Sequence, residues 1–557
     1  KANPPRQAAV TFGIEMQRFR QRAVFLEARK IARRGKLSAL KPLLASLSDY
    51  PLKSYIEYEA LLARPYSSDE AVQAFIENHP NFPISTQLRR AFADYRRDQN
   101  RPEGFLRFHQ SDDADVENQC FRASALWTLK QTQEAMAATQ ALWLYGRSQP
   151  KGCDKAFSRW RRAGGLTRDL AWQRYELAVL AGENRLATYL ERTLSEDQRT
   201  LARQLNRLRQ RPTRTDRYNT VDFKDPEQRA LADSALKKLI KKRPAEALRL
   251  IADLKDSGRL APAHARQYNY DAALRLIRED NLSLNDALIP AALKTNPDLI
   301  EARLVQLIKA GQFDALPTLL SQLPAAAQGS LRWQYWQART DLSRPGLGGR
   351  ESARVSFERL AGERDYYGHL AALWLGIPGS LADQSTTIAP EKLLDLAAAP
   401  SAQRIYELRA LGETLEARRE WFQLIKPFST TELRIAAALA SQWLWHDMAI
   451  ATLAQAQAWD EVRERFPRPY AARFTEAART QGVPVTLAMA VARRESGFWT
   501  DARSPVGAQG LMQLMPRTAQ SVAKSIALDS PTDLVLTQAD TNIKLGTAYL
   551  GQLLQRF

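Results

Sequence analysis

From about residue 15 to about residue 380 the sequence repeats one local pattern, an amphipathic stretch of roughly ten to sixteen residues followed by a brief polar or proline-containing turn. The stretch Asp225-Pro226-Glu227-Gln228-Arg229-Ala230-Leu231-Ala232 shows the grammar. Asp225 can cap the free amides of a first turn, and Pro226 sits where its missing N–H costs nothing. Apolar side chains then recur at Ala230, Ala232, Ala235, Leu236, Leu239 and Ile240, the three- and four-residue spacing of a helix with one packing face. Lys41-Pro42-Leu43 and Arg243-Pro244-Ala245 open two more such stretches. Glycine is scarce, 25 of 557 residues, below the average of roughly 7%. These features predict an all-α chain. No fixed period of about 34 or 40 residues survives inspection, so the expectation is an α-solenoid of irregular helical hairpins.

Length favours roughly three or four domains. A break at Gly376 to Pro390, with Pro378-Gly379 and a Ser/Thr-rich piece, suggests a boundary there, and Pro467 and Pro469 precede a final segment of different character. The division expected is 1–383, 384–466 and 467–557. Another Gly-rich stretch, Ser343 to Glu351, carries no phosphate-binding spacing and reads as a turn.

The formal charge is +19, from 80 Lys and Arg against 61 Asp and Glu. Short clusters such as Arg161-Arg162 read as solvated helix faces, while the total suits a polyanionic partner such as cell wall or nucleic acid. No zinc-ligand pattern and no RNP-like aromatic motif supports the latter. No run of about 18 apolar residues would span a membrane. The opening Lys1-Ala2-Asn3-Pro4-Pro5 is compatible with a mature terminus left by cleavage. The five histidines lack metal-ligand spacing, and neither metal nor cofactor is expected. Cys120 and Cys153 are two unrelated thiols in a reducing compartment, or one bridge worth roughly 3–4 kcal/mol in an oxidising one.

The chemistry concentrates near the end. A helix from Tyr470 to about Thr480 stops at Gln481-Gly482, and Val483-Pro484 starts another that runs to about Glu495. Leu487, Ala488, Val491 and Ala492 give it a packing face. Glu495 lies about two turns beyond Ala488 on a similar azimuth, so it is expected at a helix end, at the edge of an apolar surface. Apolar surroundings disfavour the charged form of a carboxyl group, and a protonated acid is what glycosidic cleavage requires. The competing reading is a surface residue or an ion pair with Arg493 or Arg494. The sequel weighs against it: Ser504-Pro505-Val506-Gly507-Ala508-Gln509-Gly510-Leu511-Met512-Gln513-Leu514-Met515-Pro516. Gly507, Ala508 and Gly510 let backbone approach a ligand, and Gln513 has an amide suited to sugar hydroxyls and acetamido groups. Met512 reads as core. Asn542 to Leu550 reads as a helix with Gly546 for close packing.

Glu495-Ser496, the Ser504-to-Pro516 run and the Asn542-to-Leu550 block together resemble the soluble lytic transglycosylases of the large periplasmic class. Weaker similarity extends through Leu142-Trp143-Leu144, Ser148-Gln149-Pro150, Cys153-Asp154 and Asp365-Tyr366-Tyr367-Gly368. The resemblance implies a ring-forming α-superhelical domain over 1–383, a helical linker domain over 384–466 and a lysozyme-like catalytic domain over 467–557. It implies export to the periplasm, which favours a Cys120–Cys153 bridge. The implied substrate is peptidoglycan glycan strands, with other cell-wall enzymes as further partners. The implied reaction is non-hydrolytic: Glu495 protonates the oxygen between N-acetylmuramic acid and N-acetylglucosamine, then acts as base on the muramic C6 hydroxyl, giving a 1,6-anhydro product. Ser496, Ser504, Gln513 and Met515 would line the glycan groove. Tyr549 lies in the third block, with core packing nearly as plausible as substrate contact. Asp501 reads as structural or solvated. The family continues past the Asn542 block to an Ala-Tyr-Asn-Ala-Gly segment and further helices that close the groove, whereas this chain stops at Phe557, which implies an incomplete groove and weak or absent activity. The alternatives are a goose-type lysozyme-like hydrolase using the same glutamate with water, a peptidoglycan-binding scaffold without chemistry, and a basic helical nucleic-acid binder.

Overall fold

The structure, a computed structural model, describes residues 4–35, 37–63, 68–110, 114–280, 282–343 and 347–557. Among them almost every regular element is a helix. Extended pairing is confined to two isolated antiparallel bridges, Arg503 with Gln509 and Gln509 with Leu514. The chain is all-α. No described helix is long and apolar enough to cross a membrane.

The helices start where the local chemistry places them. Asp225 accepts the Glu227 amide at 3.0 Å and Pro226 opens the helix Pro226–Lys242. Asn296 accepts the amides of Asp298 and Leu299 at the head of Pro297–Lys309. Ser429 and Glu432 form a reciprocal capping box. Each device satisfies amides that a helix's first turn leaves without partners.

Contacts divide the chain into two compact units, Phe92–Leu381 and the combination of Lys1–Ala91 with Ala382–Phe557. In the first, each helix packs chiefly on the next. Val116–Thr128 packs on Thr132–Trp143, Pro244–Asp256 on Pro262–Asp280, and Leu331–Ser343 on Leu347–Ala361, which in turn packs on Tyr366–Leu375. One apolar cluster runs from Cys120 to Leu276, and neighbouring clusters from Ala273 to Trp333 and from Tyr335 to Ala372 carry it onward. This is the nearest-neighbour burial of a helical solenoid. Cys120 and Cys153, both buried, are joined by a disulfide in this unit. The turn expected over Ser343–Glu351 is shorter than the sequence suggested. Residues 344–346 lie outside the described set, and a helix already begins at Leu347. Burial of Ala353, Phe357 and Leu360 offsets the poor helix propensity of Gly348 and Gly349.

The second unit is not contiguous in sequence. Its N-terminal helices are fastened to the helices between residues 400 and 425 by buried polar groups. Glu407 takes both Nε and Nη2 of Arg22, at 2.8 and 3.0 Å, and the Tyr50 hydroxyl at 2.9 Å. Glu420 takes two nitrogens of Arg404, at 3.2 and 2.9 Å, and the Tyr55 hydroxyl at 3.0 Å. Arg29 bridges Glu59 and Glu413. Forked pairs of this kind satisfy both carboxylate oxygens, which makes burial of the charge tolerable.

Candidate active site

Five helices frame the last segment: α1 (Ala471–Gln481), α2 (Val485–Ser496), α3 (Pro516–Ser525), α4 (Asp533–Leu536) and α5 (Ala539–Arg556). α5 packs along α1 and also meets α2, α3 and α4. A core of Phe474, Ala488, Ala492, Phe498, Leu511, Met512 and Ile543 joins α1, α2, α5 and the loop between α2 and α3. Ala488 and Ala492 form the buried face of α2, as expected, and Met512 packs in the core. Leu487, expected on that face, is 37% exposed.

Glu495 is the penultimate residue of α2. Its side chain is exposed, not set against an apolar wall. The azimuth from Ala488 does point inward, but α2 ends one residue later, so no further helical turn covers the carboxylate. Among the described residues Glu495 has no ion-pair or hydrogen-bond partner, which removes the reading as a helix-end salt bridge. Arg493 is used elsewhere: its Nε donates to the Arg465 carbonyl at 2.6 Å, and its guanidinium sits 4.1 Å from the centre of the Phe466 ring.

The turn after Glu495 is held tightly. Gly497 and Phe498 follow with φ of 62° and 70°. Positive φ is costly for a phenylalanine, and burial of its ring beside Phe474 offsets that cost. Ser496 ties the turn to the loop. Its hydroxyl oxygen lies 2.7 Å from the Leu511 carbonyl, to which it donates, and accepts the Phe498 amide at 3.1 Å. Ser496 therefore fixes the end of α2 against the loop.

The loop is closed by its own side chains. Ser504 accepts the Ala508 amide on its hydroxyl at 2.9 Å, and Ser504 and Ala508 also pair through their backbones. Gln509 and Leu514 exchange backbone hydrogen bonds at 2.9 and 3.0 Å. Gln513, with φ of 48°, points its amide nitrogen at the carbonyls of Ala502 and Gly510 at 3.1 and 2.9 Å. Two carbonyl acceptors fix the orientation of that amide, and among the described residues its oxygen accepts no hydrogen bond. Met515 caps α3 and is 42% exposed. Tyr549 is 36% exposed, so it is not a core residue. Asp501 is exposed.

Sequence reasoning missed the residue that joins these parts. Asn542, fully buried near the start of α5, donates to the carbonyls of Gln509 and Leu536 at 3.0 and 2.8 Å and accepts the Met512 amide at 2.7 Å. A β-carbon on Gly510, whose φ is 77°, would lie 2.2 Å from the Asn542 amide nitrogen, so this loop position needs glycine. A β-carbon on Gly546 would lie 2.4 Å from the Met512 sulfur. The sequence also gave no sign of Trp499, whose ring centre is 3.9 Å from the Arg418 guanidinium. Arg418 forms an ion pair with Asp447, whose carboxyl is pushed up by burial against the pull of that arginine. Sequence separation hides such a cluster.

The structure thus gathers Glu495, Ser496, Ser504, Gln513 and Met515 around one loop, with Tyr549 about two helical turns past the Asn542 clamp on a similar azimuth. Cys120 and Cys153 belong to the other compact unit.

Comparison with known proteins places these features. A family model described as the Transglycosylase SLT domain matches residues 473–557, and one described as the Soluble lytic murein transglycosylase L domain matches residues 395–462. The soluble lytic murein transglycosylase of Escherichia coli strain K12 is 30% identical over 551 residues, covering 96% of this chain and 83% of that protein. The crystal structure of the 70-kDa soluble lytic transglycosylase of Escherichia coli is similar with a TM-score of 0.77 at 29% identity, covering 97% of this chain and 87% of that one. The X-ray structure of an inactive glutamate-to-glutamine mutant of the lytic transglycosylase Slt from Pseudomonas aeruginosa is similar with a TM-score of 0.73 at 30% identity, covering 96% and 87%. Identity at this level across nearly the whole chain, together with two matching domain models, shows that the protein belongs to the soluble lytic murein transglycosylase family.

Proposed function

We propose that the chain cleaves murein glycan strands between N-acetylmuramic acid and N-acetylglucosamine without water, with Glu495 as the one catalytic group. The observation that carries this reading is an exposed, unpaired Glu495 held at the end of a rigid turn beside a self-closed loop. In the first step the Glu495 carboxylic acid protonates the bridging oxygen as its bond to C1 of muramic acid breaks. In the second, the carboxylate takes the proton of the C6 hydroxyl as O6 bonds to C1. The proton count closes on one carboxyl group, and the product is a 1,6-anhydro sugar. A second carboxylate, as paired-acid glycosidases need, has no role, and Asp501 is left as a solvated residue. The inactive glutamate-to-glutamine mutant of the Pseudomonas aeruginosa enzyme supports the assignment.

Ser496 acts as a positioning residue, and Ser504 closes the loop. Gln513 offers its amide oxygen to a sugar hydroxyl or acetamido N–H, while Met515 and Tyr549 supply exposed contact surface. Residues 467–557 carry the chemistry, 384–466 form the linker domain, and 1–383 form the superhelical domain that engages the strand and other cell-wall enzymes. A periplasmic location fits both a murein substrate and the Cys120–Cys153 disulfide.

Mass spectrometry of muropeptides released from purified murein by this chain and by Glu495→Gln tests the reading. Anhydro products that disappear in the variant are expected. Products one water heavier would make the enzyme a hydrolase, and anhydro products from the variant would remove Glu495 from the mechanism.

A further inference from the structure

A pocket of about 320 Å3 opens in the Phe92–Leu381 unit, between the loop after Trp143 and the helices Asp154–Arg162, Arg168–Leu180 and Asn184–Leu190. Arg174 lines it and is only 5% exposed. Its guanidinium lies 4.1 Å from the centre of the Trp143 ring and 5.2 Å from that of Phe157. No described residue gives it a carboxylate or a carbonyl, and its Nε is sealed from solvent with no acceptor. Arginine has five donors, and a buried guanidinium in a folded protein is almost always paired. Aromatic faces supply part of the missing stabilisation but no hydrogen-bond acceptor. Burial pulls Arg174 down to about 10 against an opposing influence of Tyr189, and the nearby Arg161 adds to the lowering.

The rest of the lining explains what would complete the site. Arg161 and Arg185 are exposed at the rim and, among the described residues, have no carboxylate partner; Arg161 uses its Nε on the Phe157 carbonyl at 3.3 Å. Asp154 also lies on the rim and pairs with none of the three arginines. Gln149 donates its amide nitrogen to the Leu142 carbonyl at 2.8 Å, which leaves its oxygen as an acceptor. Leu186, Leu190 and the rings of Trp143 and Phe157 supply an apolar part of the wall, beside Ser148 and Tyr189. Three cations, one buried and unpaired, call for an oxyanion. A bare phosphate would leave most of this volume and its apolar wall in contact with water, whereas a small aliphatic residue carrying a carboxylate satisfies both.

We propose that this pocket binds the carboxylate end of a short peptide, with Arg174 as its partner at the floor, Arg161 and Arg185 at the rim, and Gln149 accepting a peptide N–H. The murein reading enters only as the source of such peptides, since murein stems end in carboxylates.

Calorimetric titration of the whole chain with N-acetyl-D-alanyl-D-alanine, with the same peptide as its C-terminal amide, and with inorganic phosphate tests the proposal. The free acid is expected to bind, and the amide to bind at least roughly tenfold more weakly. The double variant Arg161→Ala/Arg185→Ala, changed only at exposed positions, is expected to bind the acid roughly tenfold more weakly as well. Glu495→Gln should bind it as the unaltered chain does, so loss of cleavage and loss of peptide binding can be told apart. Equal binding of acid and amide, no binding of the acid, or an unaffected double variant would overturn the proposal. Phosphate binding in place of the peptide, weakened by the same double variant, would overturn it in favour of a phosphate site.

Discussion

Asn542 accepts the Met512 amide at 2.7 Å while its own amide holds the carbonyls of Gln509 and Leu536. One buried side chain on α5 thus fixes both the loop beside Glu495 and the approach to α5 itself. Asn542→Ala would orphan the Met512 amide and the Leu536 carbonyl and leave the Gln509 carbonyl with the Leu514 amide alone, and the expected loss is roughly 2–4 kcal/mol of stability. Asn542→Asp should be at least as damaging, because it aims a carboxylate at two carbonyls. Urea unfolding alongside muropeptide release checks both; an unchanged midpoint in Asn542→Ala would show that the clamp carries no weight.

Gly510 and Gly546 should differ. Alanine at Gly510 meets the Asn542 amide and the Leu536 carbonyl, at 2.2 and 2.6 Å, on backbone of positive φ. None of these can yield, so about 3 kcal/mol of destabilisation is expected. Alanine at Gly546 meets the Met512 sulfur and methyl group, which can swing away, and its β-carbon at 2.8 Å, which yields only by a small backbone shift. A thioether has rotatable bonds to move through, and about 1–2 kcal/mol is expected. Unfolding midpoints of the two variants should keep that order.

Reducing the Cys120–Cys153 bond should loosen the Phe92–Leu381 unit and leave the other unit's unfolding unchanged. The bond spans 33 residues, for which chain entropy gives about 3–4 kcal/mol. Calorimetry of the chain with and without reductant, and of Cys120→Ser/Cys153→Ser, would show one transition moving to lower temperature. If none moves, the bridge adds nothing.

Glu176 is an acid in the wrong place at neutral pH. Among the described residues one of its oxygens is buried without a hydrogen-bond partner, and burial raises its carboxyl to about 7, with Arg229 opposing and Asp233 reinforcing. The folded state then binds the proton more tightly than the unfolded state, whose value is near 4.5. Its contribution to stability therefore falls as pH rises from about 4.5 to about 7 and stays low above that window. Glu176→Gln should raise the melting temperature at pH 8 and make it less dependent on pH between 5 and 7. A variant that melts at the same temperature as the parent at pH 8 would exclude this effect.

Much of this was legible in the sequence because its signals are local. Asp225-Pro226 marks a helix start within two residues, Gly482 marks a helix end, and the Ser504-to-Pro516 run stays together as one loop. What failed to show depends on distance. The exposure of Glu495 follows from where α2 stops, not from its azimuth. Tyr549 follows the buried Ala548 and precedes the partly buried Leu550 along α5, and nothing in its local pattern says that it faces outward. Asn542 sits 30 residues from Met512, and Arg418 and Asp447 lie 29 apart, and a polar residue in a helix does not announce its partner across such intervals. The grouping of the first 91 residues with those after 381 is the extreme case, since no periodicity encodes it.

That grouping has a consequence for how the chain is made. Arg22, Tyr50 and Tyr55 are synthesised early, but their carboxylate partners Glu407 and Glu420 emerge only after the whole of Phe92–Leu381. The intervening solenoid, built on near-neighbour contacts, can fold as it appears. The N-terminal helices cannot complete their burial until the residues after 381 arrive, so during synthesis they wait with charged and aromatic groups unsatisfied. Their unit is the last to close, and it is the unit that holds Glu495.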